Sequence, residues 1–438
     1  MWRRIAKLAG FFLITIVAVV LISASKFKSV ESRAQFLHEH QGVTKLLPVY
    51  WQMRKLGDII YLPYFFKHDA VPTYALEIAP QDLEKLNASL PQAFMGVSLR
   101  EHVFVPAIFR ADGKTYQTTV RYRGERARHW NASKKSYLVK FDKKTPFHDQ
   151  SEISFIIPDD RNFAVEDFNN YRAGKLGLHT PDSGFANLDV NHQGSALYFA
   201  IESWSRQMLD KWSVSPDSIF YGNSNGGAGL WQDINNWQVT VSASKGDKDD
   251  LSKLEELLRL LNTAPDREFN TRIFELVDKD NFYALQIHQE LANSSHQFDD
   301  NVRLYYDARR SKFFFVPWDV EIEPLGHNHF GQYGQLAGRI FSNPTFLKEK
   351  NERLYKYVSN ENNLADDLNF YDYTYESFKI SLYKDRLKIY TNHYADKSYA
   401  QHRQEIIDIF HYLQGHLVGS DSAPGLDVVR LGKVLTSG

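Results

Sequence analysis

The 438-residue chain contains no cysteine. Disulfides, thiolate zinc sites, Cys-x-x-Cys redox pairs and cysteine nucleophiles are therefore excluded. Glycine and proline are sparse, at 24 and 15 residues, so neither a collagen-like repeat nor a Pro/Gly-rich disordered chain fits. Neither sign of charge is in excess: 52 Lys and Arg stand against 53 Asp and Glu, a formal net charge of −1. Without a global basic field, nucleic acid is not expected as a partner. No internal repeat is visible. The stretch from Gly222 to Gly229 is rich in Gly, Asn and Ser. It lacks the Lys-Ser/Thr ending of a phosphate-cradling loop and reads as a surface linker.

What is present is an ordinary globular balance, 43% apolar and 24% charged, with 30 Phe and 24 Tyr to build aromatic cores. Arg3, Arg4 and Lys7 precede an uncharged apolar run from Leu8 to Ala24. Its length is near the lower limit for a membrane span and long for a signal peptide. Residues 1–25 are thus expected to form an uncleaved transmembrane helix, its basic flank in the cytoplasm and the body on the far side. Cleavage near Ser23-Ala24-Ser25, giving a secreted chain, is the alternative. Residues 26–70 read as a stalk, 71–202 as a strand-rich part, 203–420 as a helical part and 421–438 as a tail.

Within the first part, Val71–Ile78 reads as a strand and Pro80 opens a short helix. Val103–Arg110 and Thr115–Arg123 flank Asp112-Gly113, a hairpin signal. Ser136–Phe141 is a short strand, 163–177 a helix that Gly177 can stop, and 188–202 a second hairpin around His192-Gln193-Gly194. In the second part, Leu254, Leu257, Leu258 and Leu261 recur at helical spacing. Helices are expected over 278–292 and 401–414, the latter ended by Gly415. Between them Val302–Tyr306 and Phe313–Val316 form a hairpin turning between Arg309 and Arg310.

That hairpin carries the chemistry. Antiparallel pairing sets position 301 about opposite 318, so Asn301 and Asp319 become neighbours. Both are oxygen ligands suited to Mg²⁺. Glu321 and Glu323 follow at alternate positions, and Asp299 and Asp300 lie just before. The basic counterpart is Arg121, Arg123, Arg126, Arg128, Lys134, Lys135 and Lys140, crowded into twenty residues. An acidic metal site facing a cationic strand is a parts list for phosphoryl transfer.

The order of segments resembles the CotH kinase family from about Tyr74 to Pro324. The residues that carry the likeness are Val120-Arg121-Tyr122-Arg123-Gly124, Lys134-Lys135-Ser136-Tyr137, Asn191-His192-Gln193-Gly194 with Leu197-Tyr198 and Glu202, Asn301 with Leu304-Tyr305, and Val316-Pro317-Trp318-Asp319. The resemblance implies an α+β, two-lobed protein-kinase-like fold using ATP and Mg²⁺ on an unidentified protein substrate. By the same likeness Asp319 is the metal-binding aspartate, Asn301 holds the second metal position, and Glu321 follows as a longer-reaching ligand. Lys135 or Lys140 contacts phosphate with Arg123 nearby, Glu166 is that lysine's ion-pair partner, and Glu202 sits near the nucleotide base.

The chain departs from the family where Gly124-Glu125-Arg126-Ala127 replaces Gly-Asn-Ser-Ser and where Glu321 ends the Trp-Asp-x-Asp pattern. The base position falls on His296, with Asp299 and Asp300 too close to Asn301 to match; these three make up the candidate catalytic group. The leading expectation is a membrane-anchored ATP/Mg²⁺ phosphotransferase acting on protein hydroxyls. The alternative is a catalytically inactive envelope or cell-surface protein of the same family. A third reading is a metal-dependent hydrolase or carbohydrate-binding protein, with His327-Asn328-His329 adding ligands.

Overall fold

The computed structural model describes residues 55–420, apart from 91–101, 125–128, 131–133, 225–228 and 247. Seven strands, β1 (Thr73–Glu77), β2 (Val105–Ala111), β3 (Lys114–Tyr122), β4 (Tyr137–Phe141), β5 (Glu152–Ile156), β6 (Ser183–Val190) and β7 (Ser195–Glu202), close into a barrel. Their order is β1-β2-β3-β4-β5-β7-β6, and a parallel β1–β6 pair, Thr73 opposite Asn187 through Leu76 opposite Val190, completes the ring. Alternation decides which face turns inward. In β2, Val105, Ala107, Phe109 and Ala111 are buried, while Pro106 and Arg110 are exposed. The β2–β3 turn takes positive φ at Asp112 (52°) and Gly113 (71°), as a two-residue hairpin requires. Inside the barrel Phe147 meets Tyr74 and Phe109 edge-on, and Phe109 meets Phe141 edge-on, each pair with ring centroids 5.2 Å apart. The Asn191 side chain accepts from Ile78 N at 2.7 Å and donates to Ile78 O at 3.0 Å, stitching the exit of β6 to that of β1.

Two helices interrupt the barrel sequence, α1 (Pro80–Ala88) and α2 (Val165–Lys175). The rest of the chain contributes α3 (Arg206–Lys211), α4 (Ser252–Thr263), α5 (Asp266–Leu276), α6 (Lys279–Leu291), α7 (Gln335–Phe341), α8 (Pro344–Val358), α9 (Glu361–Lys384) and α10 (Asn392–Ser420). It also holds a four-stranded antiparallel sheet in the order β11-β10-β8-β9, made of β8 (Ile219–Asn223), β9 (Trp237–Val241), β10 (Arg303–Asp307) and β11 (Lys312–Val316). The leucines of α4 are buried as their spacing requires, and Asp278 caps α6 by accepting from Asn281 N at 3.0 Å. Gly415 does not end its helix, because α10 runs on to Ser420.

Two expectations are corrected here. The strand-rich part is not the small lobe of a two-lobed kinase-like fold: it is a closed seven-stranded barrel in a mixed α/β chain. Closure depends on pairing residues 73–76 with 187–190, a long-range match that local patterning does not register. The second correction concerns the membrane. The apolar run 8–24 lies outside the described residues, and among the described residues no helix is long and apolar enough to cross a membrane. Even the longest helices, α9 with 24 residues and α10 with 29, carry charged side chains along their length. The expected single-pass, extracytoplasmic placement is therefore withdrawn. Of the stalk, Lys55–Phe66 is a 3₁₀ segment packed on the body. Asp396 of α10 accepts from Tyr61 (2.6 Å), Tyr375 (2.7 Å) and Tyr383 (2.6 Å) and so pins that segment to α9 and α10.

Barrel and helices are locked by a buried ion pair. Lys134 Nζ lies 2.7 Å from Asp385 Oδ2, the two side chains 1% and 0% exposed. Lys134 also donates to Leu197 O and lies 4.6 Å from the centre of the Tyr198 ring. Asp385 accepts from Leu197 N at 3.2 Å and from Leu387 N at 2.8 Å. Removing one partner strands the other charge, so Lys134→Met should cost about 3–5 kcal/mol. Lys140→Ala, at the exposed pair with Glu152 (2.9 Å), should cost about 1 kcal/mol or less. Urea unfolding of the two variants checks this, and equal losses would refute the latch.

A second buried contact makes stability pH-dependent. His288 Nε2 on α6 lies 2.9 Å from Asn169 O on α2, and burial pushes the imidazole down to about 4. The unfolded imidazole, at its ordinary value, takes up its proton first as pH falls. The contribution is complete above that ordinary value and is lost between there and about 4. The total is roughly 3 kcal/mol at 1.36 kcal/mol per unit. Chemical denaturation across this window should show the slope in the wild type and a flatter one in His288→Gln.

Candidate functional site

The β10–β11 ladder sets Arg303 opposite Val316, so residue 301 stands beside 318 at the open end of the hairpin. There both chains leave through left-handed residues, Asn301 at φ 51° and Asp319 at φ 56°. Asn and Asp adopt this conformation at less cost than other side chains. The Asn301 amide donates to His296 Nε2 at 2.7 Å, and Asp319 Oδ2 stands 3.3 Å from the same nitrogen. Three side chains from one loop and one hairpin thus converge on a single point.

The barrel supplies the other wall. After β5 the chain makes a short 3₁₀ turn, Pro158–Arg161. Arg161 pairs through Nη1 with Asp319 Oδ1. Its Nε lies 3.0 Å from Glu166 Oε2 and 3.4 Å from Asp160 Oδ2, and its guanidinium carbon is 5.6 Å from the centre of the Trp318 ring. His129 Nε2 reaches Asp160 Oδ2 at 3.4 Å. Arg123 shares this field. Burial and the neighbouring Arg161 weaken its hold on its proton, while Asp160 and Glu166 strengthen it. Burial pushes the Glu166 carboxyl above its ordinary value, and the two arginines oppose that rise.

Of the residues singled out in the sequence, Asn301, Asp319, His296, Glu166 and Arg123 are gathered here. The expected lysine–Glu166 pair is absent: Glu166 takes Arg161 instead. Lys135 donates to Trp130 O at 2.7 Å with its pKa lowered by burial, and Lys140 pairs with Glu152. Glu202, 1% exposed, is bound to Lys211 at 2.6 Å. Asp299 accepts from Gln335 N at 3.1 Å. Asp300 accepts from Asn223 Nδ2 at 2.8 Å and Asn301 N at 2.7 Å, so both aspartates hold loops in place. The charge of Glu321 acts on His402 of α10, and His329 pairs with Glu323 at 3.0 Å. Arg161, Asp160 and His129 were not singled out. The usable signal was the run Pro158-Asp159-Asp160-Arg161-Asn162 directly behind an apolar strand.

Among the described residues no group of three or more His, Asp and Glu is placed to hold a metal ion. A protein-only cage of carboxylates is therefore not what the site offers. Mg²⁺ takes one or two protein carboxylates and completes its shell with water and phosphate oxygens. The Asp319 carboxylate, 24% exposed, and the adjacent Asn301 amide fit that smaller donor set.

A family model described as CotH kinase protein matches residues 120–406. An inner spore coat protein H of Bacillus subtilis (strain 168) is 23% identical over 262 residues, covering 57% of this chain and 68% of that protein. Among solved structures, the Helicobacter pylori proinflammatory kinase CtkA is similar at 10% identity, over 75% of this chain and 99% of that one, with a TM-score of 0.24.

Gly124 ties the basic strand to this cluster. It sits at φ 87°, and an added Cβ would overlap the His129 ring. Gly113 is also left-handed, at φ 71°, but nothing lies near its missing Cβ. Gly124→Ala should therefore lower stability by about 1–3 kcal/mol, clearly more than Gly113→Ala. Melting midpoints of the two variants decide. Equal losses would show that contact with His129 is not what requires glycine.

Proposed function

This chain belongs to the CotH kinase protein family, and from that premise we propose that it is an ATP- and Mg²⁺-dependent phosphotransferase acting on protein hydroxyls. The observation that carries the reading is the convergence of Asn301 and Asp319 on one point, faced by the guanidiniums of the barrel wall. Phosphoryl transfer is chiefly a problem of positioning and charge neutralisation, and this is the charge pattern it uses. Asp319 and Asn301 would hold the metal, which when bound supplies neutralising charge to phosphate oxygens. Glu166 orients Arg161, and Arg123 adds positive potential from the end of β3. Lys135 stands on the same basic segment.

His296 is the candidate general base. The Nε2 lone pair that accepts from Asn301 would take the acceptor's proton once the substrate hydroxyl replaces that donor, and the imidazolium so formed would pair with Asp319 Oδ2, 3.3 Å away. Asp299 and Asp300 act as positioning residues, since their oxygens receive Gln335 N, Asn223 Nδ2 and Asn301 N. A second reading keeps the fold without the reaction. It draws on His296 in place of a carboxylate and on Asp319 already being paired with Arg161.

Nucleotide with Mg²⁺ should raise the melting midpoint of the wild type and leave Asp319→Asn unmoved. Transfer of radiolabel from ATP to protein should fall on the order of 10²–10⁴-fold in His296→Ala. No shift in either protein, or equal shifts in both, would remove the metal assignment. A nucleotide-dependent shift with no labelled product would favour the second reading.

A further inference from the structure

Asp319 is occupied on both oxygens, Oδ1 by Arg161 and Oδ2 by His296. One of the two oxygens a divalent cation could use, Oδ1, is therefore held by a guanidinium, while Oδ2 stands 3.3 Å from His296 Nε2. Arg161 is 5% exposed and contacts three carboxylates on two walls of the site: Asp160 and Glu166 on one side, Asp319 on the other. The two ends of its fork do different things. Nε stays with Glu166 at 3.0 Å, while Nη1 reaches across to Asp319. A turn of the planar guanidinium about the Cδ–Nε bond swings Nη1 away from Asp319 while Nε stays beside Glu166, so the buried carboxylate keeps its counter-charge. A divalent cation at Asp319 would repel the guanidinium beside it. The atoms that would arrive with that cation, phosphate oxygens, are the acceptors a planar guanidinium fork matches in pairs.

Resting on the phosphotransfer reading above, we propose that Arg161 is an internal counter-cation: it closes Asp319 in the resting protein and turns to phosphate oxygens when a divalent cation takes its place. Arg161 is then a positioning residue for the metal and a recognition residue for the phosphate chain. The role falls to an arginine of the Pro158–Arg161 turn, whereas Lys135 and Lys140 are bound elsewhere. Two consequences follow. The metal alone binds weakly, because it competes with a tethered cation. Metal and phosphate together bind synergistically, because phosphate gives the displaced guanidinium a new partner.

The test measures Mn²⁺ bound to the full chain by equilibrium dialysis, with and without inorganic pyrophosphate. Arg161→Gln should bind Mn²⁺ alone at least fivefold more tightly than the wild type, and Asp319→Asn should not bind it. Arg161→Lys keeps the buried charge and serves as the variant expected to fold. It should bind Mn²⁺ about as the wild type does but lose most of the pyrophosphate enhancement. If Arg161→Gln binds no more tightly than a wild type that itself binds, the counter-cation is overturned and the phosphotransfer reading stands. Equal pyrophosphate enhancement in wild type and Arg161→Lys likewise overturns it. If neither wild type nor Arg161→Gln takes up Mn²⁺, both ideas fail together.

Discussion

Charged groups removed from water need partners, and at the centre of this molecule one guanidinium meets that need for both walls of a cleft. Arg161 stands between Glu166, buried on α2, and Asp319, at the exit of the β10–β11 hairpin. Burial alone pushes the Glu166 carboxyl toward its neutral form. The charge of Arg161 opposes the rise that burial imposes on Glu166, and through Asp319 it draws barrel and hairpin together around His296 and Asn301. The cluster's charge, its geometry and its capacity to exchange one cation for another all depend on that bridge.

Closure of the barrel makes the bridge possible. The parallel β1–β6 pair closes the ring, and the turn that follows β5 meets the hairpin through Arg161 and Asp319. The latch of Lys134 and Asp385 then fixes the barrel against the helices. Two pieces of the family likeness are explained by architecture rather than chemistry. Asn191 joins β6 to β1 through Ile78, and Leu197-Tyr198 forms the floor beneath Lys134. A motif can thus be diagnostic of a family while its members serve the scaffold.

Local signals in the sequence were easy to read where the structure is local. The Asp112-Gly113 turn, the leucine face of α4 and the register that sets residue 301 beside 318 all follow from periods of two or 3.6 residues and from turn chemistry. The pairing of Glu166 was misjudged because sequence offers several cations and no distances. Lys135 and Lys140 lie nearer the expected motif, yet Trp130 O and Glu152 hold them. Arg161 wins by position: it ends a short turn that β5 aims at the hairpin mouth. Likewise β5 and β8 carry too little alternation to stand out, and they become strands because neighbouring strands need their hydrogen bonds; β9, with Trp237, Val239 and Val241 alternating with Gln238 and Thr240, carried a signal that was not singled out.

By itself the sequence determined the chemistry on offer: no thiol, no basic field, and a hairpin whose register must place an amide next to a carboxylate. It also carried enough ordered motif to point to the family. Only the tertiary structure decided that the strands close into a barrel, that Lys134 is a buried latch, and that an arginine is the cation at Asp319. The physical reason is range. Periodicity and turn preference act over a few residues, whereas the barrel's closing pair, the Lys134–Asp385 latch and the Arg161–Asp319 contact each join groups more than a hundred positions apart.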